Sequence, residues 1–293
     1  MGNALNYLFY YCLIIPLSLL PHRVLYFLSD VMYLVVYRVV GYRKEVIYTN
    51  LRNSFPEKTE DELREIMRKY YHHMCDLVVE SLKNFTISKK EADKRMTPRN
   101  AELPNSYFEK GKSLVFIGGH YGNWELYGVA VPLTIKHKML ALFTPLKNKF
   151  FDEKIRKSRS KFGLLMLSSE EIREQLELHK DQLTATIFAS DQSPRKGQRA
   201  YWTTFLNQET GVQFGAEKFA RQYNMAVITG GIFKVRRGYY EVHYQLICEN
   251  PSELPEGEIM ERFTRVQEDI IKKQPEYWLW SHKRWKYKKP LEE

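Results

Sequence analysis

The feature that most constrains the fold of this chain is the alternation of short apolar segments with amphipathic ones after residue 110. Segments 148–163 and 169–180 have helical periodicity and lie between apolar runs. The runs with the length and composition of buried strands are 113–118, 138–144, 164–168 and 183–190. Because parallel strands cannot be joined by tight turns, such alternation indicates crossover connections. We therefore predict an α/β fold with a mostly parallel sheet flanked by helices.

Capping signals identify two helix starts. The clearest predicted helix covers 59–83, where Thr59 and Glu62 have the spacing of a capping box and apolar residues then recur at i, i+3 and i+4. Ser168 and Glu171 have the same spacing before the helix predicted over 169–180. Both helices are expected to begin just after these Ser and Thr residues.

The last third of the chain adds two helices and a hairpin to the prediction. Amphipathic periodicity predicts helices over 212–224 and 257–273. The apolar runs 225–235 and 239–247 flank the turn sequence "RRG" and are predicted to pair as a hairpin that closes the sheet.

The first forty residues differ in character from the rest. Residues 4–20 carry no charge, and residues 24–40 carry only Asp30 and Arg38. Their tyrosines suit a membrane interface, where the ring lies among acyl chains and the hydroxyl reaches water. We predict a membrane-embedded or membrane-lying helical pair, with residues 42–52 on its cytosolic side. Buried helices of a soluble core are the alternative interpretation.

These patterns divide the chain into three predicted segments. Residues 1–45 would form N-terminal membrane-anchoring helices, and residues 46–100 a helical extension. Residues 101–293 would form the α/β core and end in a basic, aromatic tail. The only plausible seam lies near residue 100, because no Pro/Gly/Ser-rich linker interrupts the sequence elsewhere.

Charge and cysteine content restrict the partners and the compartment. A net charge of +10 favours acidic partners such as nucleic acid, an anionic membrane face or an acidic carrier protein. Nucleic acid is disfavoured because no recognised nucleic-acid-binding module occurs and the apolar N-terminus would have no use there. Three scattered cysteines fit a reducing compartment rather than a disulfide framework.

The stretch "IGGHYGNWE" contains the candidate catalytic residues. His120 follows a predicted strand, and ligands of α/β sheets gather at the carboxyl ends of strands. Gly118 and Gly119 would allow a tight turn and close backbone approach by a substrate. A histidine can take a proton from a hydroxyl, and Glu125 is expected to bond its second ring nitrogen if His120 lies in the turn. With no GxSxG elbow and no nearby cysteine, direct transfer to a bound acceptor hydroxyl is favoured over a covalent intermediate.

Several stretches in the same order resemble a known family. "GGHYGNWE" is similar to the His-x4-Asp/Glu motif of the glycerolipid and lysophospholipid acyltransferase superfamily. The wider sequence resembles the bacterial lipid A biosynthesis (late, or secondary) acyltransferases. The stretches that carry this resemblance are "NLRNSFPEKTEDE", "TPLKNKFFDEKIRKSRSKFG", "DQSPRKG" and "QPEYWLWSHKRWK".

The resemblance implies an activity, its partners and two catalytic residues. Family members move a fatty acyl chain from an acyl carrier protein thioester to a hydroxyl of an acylated glucosamine disaccharide, at the cytoplasmic face of the inner membrane. They need no cofactor and no metal. His120 corresponds to the general base, and Glu125 to the residue that orients and charges it.

The resemblance also implies binding residues. Arg159, with Arg156 as its alternative, would hold a phosphate or polarise the thioester carbonyl through its planar fork; solvated helix arginines are the other interpretation. Asp191 and Gln192 would line the acceptor pocket, although Asp191 could equally cap a loop. Asn123 would contact the acceptor.

The acceptor and donor stay open at this stage. A lipid A precursor, an ornithine or glycine lysolipid and a lysophospholipid are all compatible acceptors, and coenzyme A could replace the carrier protein as donor. Two other functions would use the same fold: a non-catalytic lipid-binding relative, and a thioesterase that transfers the acyl group to water.

Overall fold

A computed structural model describes residues 2–289 of the chain. Met1 and residues 290–293, the ends of the predicted first and last segments, lie outside the described residues. The helices of the described chain are α1 (Gly2–Phe9), α2 (Ile15–Leu19), α3 (His22–Tyr33), α4 (Lys44–Ser54), α5 (Glu60–Lys83), α6 (Lys89–Arg95), α7 (Glu102–Glu109), α8 (Trp124–Ala130), α9 (Lys149–Arg159), α10 (Ile172–Leu178), α11 (Gly215–Tyr223) and α12 (Glu258–Lys273). π-Helical turns at Tyr10–Ile14 and Leu34–Val40 extend α1 and α3.

The sheet confirms the predicted α/β class. Its strands are β1 (Met96–Pro98), β2 (Leu114–Gly118), β3 (Lys138–Leu142), β4 (Leu165–Leu167), β5 (Thr184–Ala189), β8 (Ala226–Arg236) and β9 (Tyr239–Cys248). These seven strands lie in the order β1-β9-β8-β2-β5-β3-β4. Every neighbouring pair is parallel except β8 and β9, which form the predicted antiparallel hairpin.

Strand β2 shows why the sheet needs helices on both faces. Successive side chains of a strand point to opposite faces, and those of β2 enter two different cores. Leu114 and Phe116 pack into the core on one face, and Val115 and Ile117 into the core on the other. All four are almost completely buried. An uninterrupted apolar run is therefore what a central parallel strand requires.

A second, two-stranded sheet was not predicted. Strands β6 (Ala200–Phe205) and β7 (Gln208–Gln213) pair antiparallel. The turn between them places Leu206 and Asn207 at positive φ, 49° and 62°. The helix predicted over 212–224 was therefore wrong at its start, because the first residues of that segment belong to β7 and α11 begins at Gly215.

The capping box predicted for Thr59 and Glu62 is confirmed. The Thr59 hydroxyl accepts from the Glu62 N–H, while the Glu62 carboxylate accepts from the Thr59 N–H. The same two bonds join Ser168 and Glu171, but α10 begins only at Ile172, so this helix starts later than predicted. The Thr59 cap satisfies two backbone donors that a helix start leaves without an intrahelical partner.

The N-terminal helices lie against α5 through polar contacts. Ser29 donates to Asp76 at 2.8 Å, and Tyr26 donates to Glu80 at 2.9 Å. Asp30 pairs with Arg237, in the turn between β8 and β9, at 2.6 Å. The polar side of α3 therefore faces the protein. Its exposed apolar side chains, together with those of the turn that follows, are Val24, Phe27, Leu28, Val31, Leu34 and Val35.

Within residues 2–289 no single helix has both the length and the apolar character needed to cross a membrane. The pair Ala4–Leu19 and His22–Val40 meets both criteria when taken together, but it is bent by 114° at the break. The predicted division into segments at residues 45 and 100 stays a prediction.

Asp76 is the buried charge that holds α3 and the β8–β9 hairpin to α5. It accepts from Ser29, pairs with Lys234 at 3.2 Å and with Arg237 at 2.6 Å. Burial favours the neutral acid, but the two cations and the hydroxyl outweigh burial and hold the pKa of Asp76 below its ordinary value. The carboxylate thus stabilises the folded state above its unfolded pKa, and this contribution is lost as the pH falls through the lowered pKa.

We expect Asp76→Ala to lower the free energy of unfolding by about 3 kcal/mol, because it leaves a largely buried Lys234 without its partner. Denaturant unfolding at neutral pH measures this effect. Asp269→Ala removes an exposed carboxylate from α12 and serves as the matched control. Equal stability of the two variants would contradict the assigned role of Asp76.

Candidate active site

The site is formed where two neighbouring parallel strands end. Gly118, the last residue of β2, is in register with Ala189, the last residue of β5. His120 and Asp191 each follow two residues later, so both leave the sheet at the same edge. The Ser190 N–H donates to the Gly118 carbonyl at 2.9 Å and extends the pairing to the point where the strands diverge.

Asp191 binds His120 through both of its oxygens. Its Oδ1 lies 2.7 Å from the ring Nδ1 of His120, and its Oδ2 accepts from the His120 backbone N–H at 2.7 Å. The indole N–H of Trp278 donates to the same Oδ2 at 2.9 Å. The side chain of Asp191 is only 2% exposed, whereas that of His120 is 22% exposed. The acid is thus enclosed, while the ring can be reached from outside.

The electrostatics of the pair favour an ionised acid and a basic ring. Burial alone would lower the pKa of His120, but the charge and hydrogen bond of Asp191 outweigh burial and raise it above the ordinary value. Burial likewise acts against ionisation of Asp191, but the bonds from His120 and Trp278 hold its pKa below the ordinary value. An ionised Asp191 fixes the tautomer with the proton on Nδ1, so Nε2 carries the lone pair.

Two other side chains adjoin the ring of His120. The amide nitrogen of Gln192 lies 3.2 Å from Nε2, the nitrogen that would accept a proton. The ring of Trp124 meets the imidazole edge-on, with 5.3 Å between ring centroids. Gln192 therefore adjoins the ring nitrogen that an acceptor hydroxyl would have to reach, and its role in lining an acceptor pocket stays a prediction.

Gly119 allows the close approach of Asp191 to the turn. A Cβ at Gly119 would lie 3.1 Å from the Asp191 carboxyl and 2.9 Å from Oε1 of Gln267. The sequence analysis assigned this close approach to a substrate; in the structure it is made by the carboxylate of the protein itself. A Cβ at Gly118 would meet nothing within 4 Å.

The expected contact between Glu125 and His120 was wrong. Glu125 binds Arg159 in a fork instead, with N–O distances of 2.6 and 2.9 Å. The carboxylate is turned to the guanidinium because Glu125 lies on the first turn of α8, next to the end of α9. Asp191 occupies the position at Nδ1 that Glu125 was expected to take, and the roles of Glu125 and Arg159 in catalysis stay predictions.

Asn123 and Arg156 both have partners within the protein. Asn123 is fully buried; its oxygen accepts from the Leu126 N–H at 2.8 Å, and its amide donates to Glu80. It caps α8, so it has no surface left for an acceptor. Arg156 pairs with Glu171 at 3.1 Å, and its guanidinium stacks on Phe143, so its role in binding stays a prediction.

A second group of residues holds the turn that carries His120. Gly122 has φ +61°, and a Cβ there would lie 2.6 Å from the Ile232 carbonyl oxygen, so glycine is required. The Gly122 N–H donates to the Tyr277 carbonyl at 3.0 Å. Its own carbonyl contacts Nε2 of His73 at 3.1 Å. Burial lowers the pKa of His73 to about 3, which keeps this ring neutral.

Part of the basic, aromatic C-terminal tail is buried. Trp278 and Trp280 are almost completely buried, and Arg284 is 2% exposed. Arg284 donates to the Thr210 hydroxyl and the Gly211 carbonyl in β7, both at 2.7 Å. The sequence signal that could have identified these residues is the spacing of the three tryptophans in "WLWSHKRW", which suits packing better than solvation. Lys283 and Lys286 of the same tail are exposed.

Comparison with known proteins places the chain in a family. Residues 3–287 match the family model described as bacterial lipid A biosynthesis acyltransferase. A comparison with curated proteins finds no match. The matched range includes the whole site, from His73 to Arg284.

We expect Asp191→Asn to lower kcat by about a hundredfold or more, because the base loses its orienting charge. The acid limb of the pH–rate profile should move to lower pH, since Asp191 raises the pKa of His120. Asp181→Asn, at the opposite end of β5, is the matched control. An unshifted acid limb in Asp191→Asn would contradict direct electrostatic contact between the two residues.

Replacing Gly118 and Gly119 one at a time tests whether the turn needs room for the Asp191 carboxyl at Gly119 or only the flexible backbone of a glycine pair. We expect Gly119→Ala to lower kcat at least tenfold, because the new Cβ would push the Asp191 carboxyl away from its 3.1 Å position. Gly118→Ala should have little effect, since its Cβ would enter open space. Initial rates of the two variants, with thermal unfolding as a folding check, make the comparison; equal losses would refute it.

Proposed function

The chain belongs to the bacterial lipid A biosynthesis acyltransferase family, and from this premise we propose that it moves a fatty acyl chain from an acyl carrier protein thioester to a hydroxyl of a lipid A precursor. The family supports acyl transfer to a lipid A-like acceptor. The donor, the base and the membrane location are the proposed parts. The observation that carries the mechanism is the His120–Asp191 pair at the end of two parallel strands.

The proposed reaction is a direct transfer. Nε2 of His120 takes the proton of the acceptor hydroxyl as its oxygen attacks the thioester carbonyl carbon. The tetrahedral intermediate then expels the thiolate, which takes the proton back from the imidazolium. Asp191 stays ionised throughout and stabilises the imidazolium, as the acid of a serine hydrolase triad does.

The surroundings of the ring support direct attack rather than a covalent intermediate. Among the described residues, the side chains hydrogen-bonded to the His120 ring are Asp191 and Gln192, and neither is a nucleophile of the serine or cysteine type. The remaining access to Nε2 is therefore assigned to the acceptor hydroxyl. The bidentate Glu125–Arg159 pair fixes the end of α9 beside α8 and leaves one guanidinium nitrogen, Nη1, for the thioester carbonyl or an acceptor phosphate.

The donor proposal depends on charge. With a net charge of +10 the protein attracts acidic partners, and an acyl carrier protein is acidic on the surface that presents the acyl chain. Coenzyme A is the alternative donor, and its phosphates would respond to the same charge.

The proposal that the protein binds a membrane depends on the exposed apolar side of α3. Tyr26 and Ser29 contact the protein through their hydroxyls, whereas Val24, Phe27, Leu28 and Val31 are exposed, so one side of the helix presents an apolar surface outward. An exposed apolar surface of this kind fits a lipid bilayer. We assign the protein to the cytoplasmic face of the inner membrane, where the carrier protein is available and where its free cysteines stay reduced.

We expect His120→Ala to lower acyl transfer by about 10²- to 10⁴-fold, the usual contribution of a general base. The assay uses purified protein in detergent, labelled acyl carrier protein and an acylated glucosamine disaccharide phosphate, with mass spectrometry of the lipid product. His179→Ala, in the loop after α10, is the matched control. Undiminished turnover of His120→Ala would contradict the mechanism.

The same assay separates the other functions. Free fatty acid formed without any acceptor would indicate a thioesterase. Transfer to an ornithine lysolipid, a glycine lysolipid or a lysophospholipid, but not to the disaccharide, would change the acceptor. No turnover of the native protein with any of these acceptors would indicate a lipid-binding relative without activity.

A further inference from the structure

A cavity of about 750 Å³ opens at the junction of α4, α5 and the end of the N-terminal helical pair. It lies apart from the His120 site, and none of its lining residues takes part in the mechanism above. The residues that line it are Tyr37, Gly41, Arg43, Lys44, Glu45, Val46, Tyr48, Arg64 and Met67.

The lining carries an excess of positive charge. Arg43, Lys44 and Arg64 face a single lining carboxylate, that of Glu45. In the part of the chain that the structure describes, none of the three cations forms an ion pair. Arg43 donates one bond, from Nη1 to the Ser281 carbonyl at 2.9 Å, and its other donors are unused. A cavity with several unneutralised cations is suited to an anion.

The backbone holds these cations in place. Arg43 has φ +52°, a conformation that is uncommon for residues other than glycine and is often found where function requires it. It directly precedes α4, whose first turn has no side-chain cap. The uncapped helix end adds positive potential to that of the side chains. The Lys44 ammonium lies over the Tyr37 ring, 4.8 Å from its centroid, which restricts its position further.

The cavity adjoins the exposed apolar surface of the N-terminal helices. Val39 and Val40, 80% and 64% exposed, immediately precede the lining residue Gly41. An occupant could therefore place an anionic group among the cations and an apolar chain along the neighbouring valines. This combination is typical of a phospholipid and not of a small soluble anion.

We propose that this cavity binds the phosphate group of an anionic phospholipid and so fixes the orientation of the protein on the bilayer. The proposal deepens the membrane association proposed above and depends on it. It assigns the cavity to a membrane lipid that is neither consumed nor modified in the reaction.

The test measures binding of His120→Ala protein to vesicles, so that it does not depend on acyl transfer. Vesicles of phosphatidylcholine alone are compared with vesicles that also contain phosphatidylglycerol, by co-sedimentation. We expect Lys44→Gln together with Arg64→Gln to weaken binding to the anionic vesicles at least about tenfold, from the usual contribution of each basic residue near a membrane surface. Binding to phosphatidylcholine alone should change little.

The matched control is Arg173→Gln with Lys218→Gln, which removes two exposed cations from α10 and α11. Equal weakening by both pairs would overturn the proposal, because it would show a response to net charge and not to the cavity. Glycerol 1-phosphate, added to His120→Ala protein with its cavity residues intact at constant ionic strength, is expected to compete only weakly with the anionic vesicles. Binding of glycerol 1-phosphate as tight as binding to the vesicles would overturn the lipid assignment in favour of a soluble phosphate.

Discussion

The parallel pairing of β2 with β5 is the constraint on which the site depends. It ends both strands at the same level and delivers His120 and Asp191 to one edge of the sheet. Asp191 is almost completely enclosed, and a buried carboxylate is unfavourable unless it is paired and hydrogen-bonded. The imidazole, the His120 backbone N–H and the Trp278 indole supply those bonds. The same contacts that compensate the burial of the Asp191 charge also fix the imidazole ring, with its Nε2 turned away from Asp191 and towards Gln192.

Each residue of the turn that carries His120 has a different structural role. Gly119 gives room to Asp191, and Gly122 allows the left-handed turn. Asn123 caps α8 and reaches Glu80, which also binds Tyr26 of α3 and Tyr240 of β9. A continuous set of hydrogen bonds through Glu80 therefore connects α3 to α8, the helix that follows His120. Glu125 extends the set to α9 through Arg159.

The sequence was sufficient for six of the seven strands of the main sheet and for the position of His120, because these follow from local patterns: apolar runs, helical periodicity and a glycine pair after a strand. It missed the three-residue strand β1, which lies in the segment predicted as a helical extension. It was not sufficient for the partner of His120. Glu125 was chosen for its closeness in sequence, whereas Asp191 is 71 residues away. The sequence signal that could have identified Asp191 was its position, since His120 and Asp191 each follow the end of a strand predicted to lie in the parallel sheet. The β6–β7 hairpin was missed because Leu206, at positive φ, gives no turn signal.

The polar contacts of α3 also bear on how the N-terminal helices would meet a bilayer. A helix that crossed the hydrocarbon would have to carry Asp30 and Arg38 into it, at a cost of about 2.5–3.5 kcal/mol for each charge near the centre. In the structure Asp30 is paired with Arg237 at the protein surface, and the two helices meet at a bend of 114° instead of forming one straight span. The apolar side chains of α3 then face outward, where lipid would remove them from water at about 25 cal/mol per Å². The contacts to α5 therefore favour a pair that lies in the interface over one that spans the bilayer.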